Sequence, residues 1–227
     1  MSKNSLTCLA FADSHRYHRR IEIFDKDIDV LICAGDFSED ANSWDRLPGD
    51  TTGFFEWFAK QPGKNKILVP GNHDAMMFKN PTLVPSICNQ LGISLLVDSS
   101  VVINNIKFHG FPWTPKFGDW WYMLRDSEME QQIYSIPTDV DVLISHGPVK
   151  GIRDKVEGEH VGCKHLLKYV KENKPKVHVF GHIHEGYGTQ TEDGTFFVNC
   201  SFLDGDYQSY SKGGAVLQPP INFVVTK

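Results

Sequence analysis

Short, unbroken apolar runs recur along the chain, each ended by a knot of polar residues and glycine. Residues 6–12, 29–34, 66–69, 141–145 and 176–180 are such runs, rich in Val, Ile, Leu and Phe. Their length and lack of alternation predict strands buried on both faces, as parallel strands are. Longer stretches between them carry apolar positions at helical spacing. Residues 52–60 turn Phe54, Phe55, Trp57 and Phe58 towards a core, and Pro62-Gly63 stops the helix. Residues 81–90, 129–134 and 163–171 predict further helices, the last with Leu166, Leu167 and Val170 inward. Strands at 95–97, 101–103 and 106–108 follow one another, with Asp98-Ser99-Ser100 and Asn104-Asn105 as turns. That contiguous β region argues for a second sheet rather than an unbroken βαβ series. Thr189, residues 196–198 and residues 221–225 supply closing strands. Segments 37–50, 111–122 and 147–162 read as loops, and 16–23 as a loop with a short edge strand. The expectation is one α/β domain over residues 1–227, two stacked mixed sheets flanked by helices.

Composition narrows the class. At 227 residues the chain can bury a sizeable core, and 41% hydrophobic with 22% charged residues is globular usage. A net charge of −5 argues against an extended nucleic-acid surface. It does not exclude phosphate substrates, because bound metal ions reverse the local sign. Five cysteines without a C-x-x-C pair, no signal peptide and no membrane-length apolar run point to a reducing compartment. The cytoplasm is the expectation, with no membrane partner.

The polar knots carry the chemistry. Asp13-Ser14-His15 follows the first strand and Gly35-Asp36 the second; Gly71-Asn72-His73-Asp74 follows the third. His146-Gly147 and Gly181-His182-Ile183-His184 follow the last two runs. Open α/β sheets place their chemistry at these strand ends. The Asp, His and Asn residues of these knots are more than one tetrahedral ion needs and sufficient for two. Imidazole mixed with carboxylate favours manganese, iron, zinc or cobalt over calcium or magnesium, with manganese put first.

In this order D-x-H, G-D, G-N-H-D, H-G and G-H-x-H resemble the five blocks of the calcineurin-like metallophosphoesterases. Phe111-Pro112-Trp113-Thr114-Pro115, Gly151-Ile152-Arg153-Asp154, Val161-Gly162-Cys163 and the stretch from Gly181 to Gly188 resemble the small metallophosphoesterase-domain-containing proteins within that family. The resemblance implies a four-layer α-β-β-α sandwich and two divalent metal ions. By the same resemblance Asp13, His15 and His184 would hold one ion, Asn72, His146 and His182 the other, and Asp36 would bridge them. Two such ions would clamp an in-line displacement at phosphorus, with a bridging hydroxide as attacking group.

His73 cannot easily share a metal with its neighbour Asn72. It is expected to donate a proton to the leaving oxygen, or to hydrogen-bond the phosphate. Arg153 is a candidate for holding substrate phosphate, with a surface salt bridge as the competing reading. Trp113, in the aromatic loop 111–122, is a candidate for stacking a base. The other histidines, His178 among them, read as structural. Gly35-Asp36 lacks the D-R-G continuation of Ser/Thr protein phosphatases, and a short acidic chain argues against a nuclease. The expected activity is hydrolysis of a small phosphodiester, a cyclic nucleotide being one candidate. The alternatives are a phosphomonoesterase or nucleotidase, and a metal-stabilised binding protein without turnover.

Overall fold

A computed structural model describes residues 5–39, 49–205 and 216–227. In chain order the first half runs β1 (Ser5–Phe11), β2 (Val30–Cys33), α1 (Gly49–Lys60), β3 (Asn65–Leu68), α2 (Ala75–Lys79), α3 (Leu83–Gln90), β4 (Ile93–Leu95), β5 (Ser99–Ile103) and β6 (Ile106–Phe111). It continues with β7 (Thr114–Pro115), β8 (Met123–Leu124), α4 (Asp126–Ile133), β9 (Val142–Ser145), β10 (Lys155–Val156), β11 (Glu159–His160) and α5 (Lys164–Asn173). The last strands are β12 (Val177–Phe180), β13 (Gly188–Glu192), β14 (Thr195–Asn199) and β15 (Ile221–Thr226).

Two mixed sheets form the centre. One has strand order β15-β1-β2-β3-β4, the other β13-β14-β12-β9-β6-β5. β1 to β4 are mutually parallel, as are β6, β9, β12 and β14; only the edge strands β15, β5 and β13 run antiparallel. Alternate residues of each strand face the other sheet. Cys8, Ala10, Val30, Ile32, Val142, Ile144, Val177 and Val179 are buried together there. The opposite faces are covered by helices. Phe54, Phe55 and Phe58 of α1 pack with Leu9, Phe11 and Leu31. Met129 and Ile133 of α4 and Leu166 and Val170 of α5 pack with Leu143, Phe180 and Phe197. The result is the four-layer α-β-β-α sandwich. Each fully buried phenylalanine contributes about 1.5–3 kcal/mol of burial free energy, which is why this layer is so aromatic. All five cysteines are free and buried. No helix among the described residues is long and apolar enough to cross a membrane.

Some expectations shift. Part of the loop expected at 37–50 lies outside the described residues. Residues 17–20 form a 3-10 turn rather than an edge strand, with His18 buried against Phe54 and Trp57. The strand expected at 95–97 is β4 at 93–95, and it completes the first sheet instead of opening the second. Ser99 and Ser100 belong to β5, so the turn narrows to Asp98, whose φ is 46°. The helix α2 and the two-residue strands β7, β8, β10 and β11 were not expected; they are too short to leave a periodic signal.

Candidate active site

The parallel strands of both sheets end on one edge, and the polar knots meet there. Backbone bonds tie the turns together. Asp13 N–H donates to Gly35 O (2.9 Å), Ala12 N–H to Cys200 O (2.9 Å) and Gly181 N–H to His146 O (2.9 Å). Gly35, at φ 99°, permits the approach. A Cβ there would sit 2.5 Å from His146 Nδ1 and 2.8 Å from Gly71 N. Asp13, His15, Asp36 and His182 have φ of 52°, 37°, 51° and 69°. Four non-glycine residues in the left-handed region, all in one cluster, mark strain that the surrounding fold must hold.

Among the described residues three overlapping groups of ligand atoms result, each within 4.8 Å: Asp13, His15 and His184; His15, Asp36 and His73; Asp36, His146 and His182. His146 Nδ1–H donates to Ala34 O (2.9 Å), which leaves Nε2 facing Asn72 Oδ1 (2.9 Å) and Asp36 Oδ2 (3.2 Å). Asp13 Oδ2 accepts from His182 N–H (2.8 Å) and Ser201 Oγ (2.7 Å), while its Oδ1 is buried without a hydrogen bond. His184 Nδ1–H donates to Asp204 O (3.1 Å), turning Nε2 towards Asp13 Oδ1 at 3.9 Å.

Electrostatics fit a cation-binding cluster. Burial alone would raise Asp36, but His146 and His73 beside it hold its carboxyl well below the usual range. Burial raises Asp13 against the pull of His184 and His146. Burial pulls His146 down, but the charge and hydrogen bond of Asp36, the Asp13 charge and the bond to Ala34 O together outweigh it, lifting the imidazole to about 9. His182 is depressed by burial to about 3, and His15 is also held well below its usual value by burial. Two carboxylates, one amide oxygen and imidazoles with a nitrogen facing inward are a donor set suited to two divalent transition-metal ions. The Asp13 Oδ1 atom, buried and unbonded, is the most specific sign of such a fit.

Residues to which the motifs assigned no role hold this set in place. Asp74 is fully buried and accepts from Gly71 N–H (2.8 Å), Asp36 N–H (2.9 Å), Ser38 N–H (3.0 Å) and Ser38 Oγ (2.9 Å). It welds the second and third turns together. Burial pushes its carboxyl up, to about 8, against those bonds. Ser201 orients Asp13 from the end of β14. Ser145 Oγ donates to Gly147 O (2.6 Å) and so accepts from His178 Nε2 (2.7 Å), bracing the turn that carries His146. His178 is thus the buried, bonded residue that its strand position implied.

The aromatic loop needs a correction. Trp113 is half-buried, with Nε1 donating to Asp98 Oδ2 (2.8 Å) and its ring on Tyr122 (5.4 Å) and Phe78 (6.4 Å). The rings on the cluster are Trp120, 4.3 Å from the His73 ring, and Phe117, 5.4 Å from the His182 ring. Both are exposed, Phe117 at 63% and Trp120 at 39%. The structure does not bring Arg153 into the cluster either. Its guanidinium donates to Tyr187 O and Thr189 O, fastening the connection into β13. His73 does join: its N–H donates to Asp36 Oδ1 (2.8 Å), and its ring meets His15 edge-on at 4.8 Å.

A phosphoesterase fold with a dinuclear-type ligand cluster is the class that this arrangement defines. The family model for calcineurin-like phosphoesterases matches residues 6–186, and the chain belongs to that family. Metal-dependent phosphoester hydrolysis is the general chemistry of the class. Human metallophosphoesterase domain-containing protein 1 is 35% identical over 205 residues, covering 79% of this chain and 61% of that protein. The chain therefore spans less than two thirds of that relative's length. The UPF0046 protein K07C11.7 of Caenorhabditis elegans is 28% identical over 234 residues, 98% of this chain and 76% of that one. The crystal structure of TT1561 of Thermus thermophilus shares the fold, with a TM-score of 0.64 and 13% identity over 86% of this chain and 88% of that one.

Proposed function

We propose that the chain hydrolyses small phosphodiesters with two divalent ions, manganese first among the transition metals. Asp13, His15 and His184 would hold one ion; Asn72, His146 and His182 would hold the other; Asp36 would bridge them. The observation that carries this reading is the chain of overlapping ligand groups: His15 belongs to the Asp13–His184 group and also to a group with Asp36 and His73, and Asp36 belongs in turn to the His146–His182 group. When bound, such a pair polarises phosphoryl oxygens and makes water acidic enough to attack phosphorus near neutral pH.

The chain's own residues do the rest. Asp36 is fixed by the His73 N–H and the His146 imidazole, so its two oxygens face different ligand groups. His73 is half-buried, its ring between His15 and Trp120 at the cluster, and it is the group assigned to meet the leaving oxygen and hand it a proton. Trp120 covers that imidazole and limits water around it. The preference for diesters over monoesters rests on Trp120 and Phe117. Each is an exposed ring on a histidine of the cluster, and His73 and His182 adjoin different ligand groups. A diester has two organic substituents to place there, where a monoester has one. Stacking passes from Trp113 to these two residues.

The test strips the protein with a chelator, restores Mn²⁺, and compares initial rates on an aryl phosphodiester and the matching monoester. A metal-dependent rate favouring the diester is expected. Preference for the monoester would replace this reading with a phosphomonoesterase. No rate with Mn²⁺, Fe²⁺, Zn²⁺ or Co²⁺ would leave a binding protein.

A further inference from the structure

Two concavities adjoin at the rim of the site. The first, about 400 Å³, is mostly apolar; Phe117, Pro148, Val156, Val161 and Ile183 line it, and His182 forms its inner wall. It has room for a planar ring system, because drug-sized ligands occupy sites of roughly 300–1,000 Å³. The second, about 530 Å³, shares Pro115, Lys116 and Gly162 with the first, so the two adjoin. Its lining is of another kind: Lys116, Arg125, Lys150 and Lys164 converge on it.

The local charge is opposite to that of the chain. Lys164 pairs with Asp126 (2.9 Å) and Lys116 with Asp119 (3.2 Å). Neither the Lys150 ammonium nor the Arg125 guanidinium has an ion-pair partner among the described residues, although the Arg125 backbone N–H donates to Glu128 Oε2 (2.8 Å). Four cations therefore stand beside three carboxylates, Asp119, Asp126 and Glu128, in a molecule of net charge −5. A cationic concavity thus adjoins an apolar one, and the apolar one reaches the ligand cluster at His182.

Resting on the phosphoesterase reading above, we propose that the cationic concavity binds a second phosphate of the substrate. The substrate class is a nucleotide phosphodiester that carries a further phosphate: the diester at the cluster, the ring system on Phe117, the further phosphate on Lys150 and Arg125, so that a nucleoside bisphosphate is the product-like probe. Charge-assisted bonds from two cations at a partly enclosed surface site correspond to about a tenfold gain in affinity.

The experiment measures binding directly, so it does not depend on turnover. Adenosine 3′,5′-bisphosphate, adenosine 5′-monophosphate and inorganic phosphate are titrated calorimetrically into the Mn²⁺-loaded full chain, and into R125E/K150E. Circular dichroism and melting confirm that the variant is folded; both side chains are on the surface. The expected result is that bisphosphate binds about tenfold more tightly than monophosphate, that the ratio falls to near one in the variant, and that inorganic phosphate alone binds more weakly than either. Equal affinity for the two nucleotides in the wild-type protein would overturn the proposal, as would a ratio that survives the charge reversal. Failure of the aryl diester assay, with the ratio intact, would instead count against the catalytic reading alone.

Discussion

Gly181 offers a direct test of how tightly the ligand cluster is packed. It lies outside the positive-φ region, so alanine suits its backbone and only space is at issue. A Cβ there would lie 2.2 Å from Asp13 Oδ2 and 2.5 Å from Ala12 Cβ. The Asp13 carboxylate must retreat by about 1 Å to reach an ordinary contact, since the interior has no slack to absorb it. That movement disturbs the bonds from His182 N–H and Ser201 Oγ and swings Oδ1 away from His184. Misplacement by about 1 Å costs on the order of 10²-fold in rate. Overpacking and weakened charge-assisted bonds together cost about 3 kcal/mol of stability. For a chain of this size that lowers the melting temperature by roughly 10 °C. The assay is kcat/KM on an aryl phosphodiester with restored Mn²⁺, beside a thermal scan. Gly53→Ala, in α1 with its nearest contact at 3.9 Å, is the control. It should keep the rate and gain up to about 1 kcal/mol from helix propensity. Gly181→Ala protein within twofold of the wild-type rate would refute the claim that Asp13 is held in one position.

Other perturbations separate roles. His73→Asn should slow esters of poorly acidic alcohols about 10²-fold and spare those with nitrophenol leaving groups, because only the former need a proton; equal losses would remove the proton-donor role. Phe117→Ala should raise KM for a base-bearing diester about tenfold with little change in melting temperature, while Trp113→Ala should cost about 3 kcal/mol of stability and show no such selectivity. The reverse pattern would restore Trp113 as the stacking residue. Burial keeps His178 neutral down to about 3, whereas histidine in the unfolded chain protonates near 6.5. Below 6.5 the unfolded chain binds more protons, so its contribution is full above that pH and drains away towards 3, by about 3 kcal/mol at pH 4. Denaturant unfolding of His178→Gln protein should show a correspondingly shallower acid slope; an unchanged slope would contradict the assignment.

Much of the fold was legible because its central strands are buried on both faces. Val30–Cys33 and Val177–Phe180 read as strands without tertiary information. The cluster was legible because Asp, His and Asn ending such runs are poor core residues. What could not be read is set by distance along the chain. Asp74 meets Ser38 across 36 residues, and Ser201 meets Asp13 across 188. Each is an ordinary polar residue until β2 pairs with β3, for Asp74, or the two sheets stack, for Ser201. A weak signal for Asp74 was present, in its place as the last residue of the third knot. The aromatic loop failed differently. Its composition announced a stacking surface, but which rings face outward depends on the short β7–β8 pairing and the Trp113–Asp98 bond. Arg153 likewise spends its donors on carbonyls of a connection 34 and 36 residues away.

The central claim is that Asp36 links two metal sites that act together. Titrating Mn²⁺ into chelator-stripped protein, with bound metal and diesterase rate followed in parallel, tests it most directly. The rate should stay low through the first equivalent, rise with the second and stop rising at two per chain. Asp36→Asn should abolish that rise. Full activity at one equivalent, or a rate that persists without metal, would contradict the account.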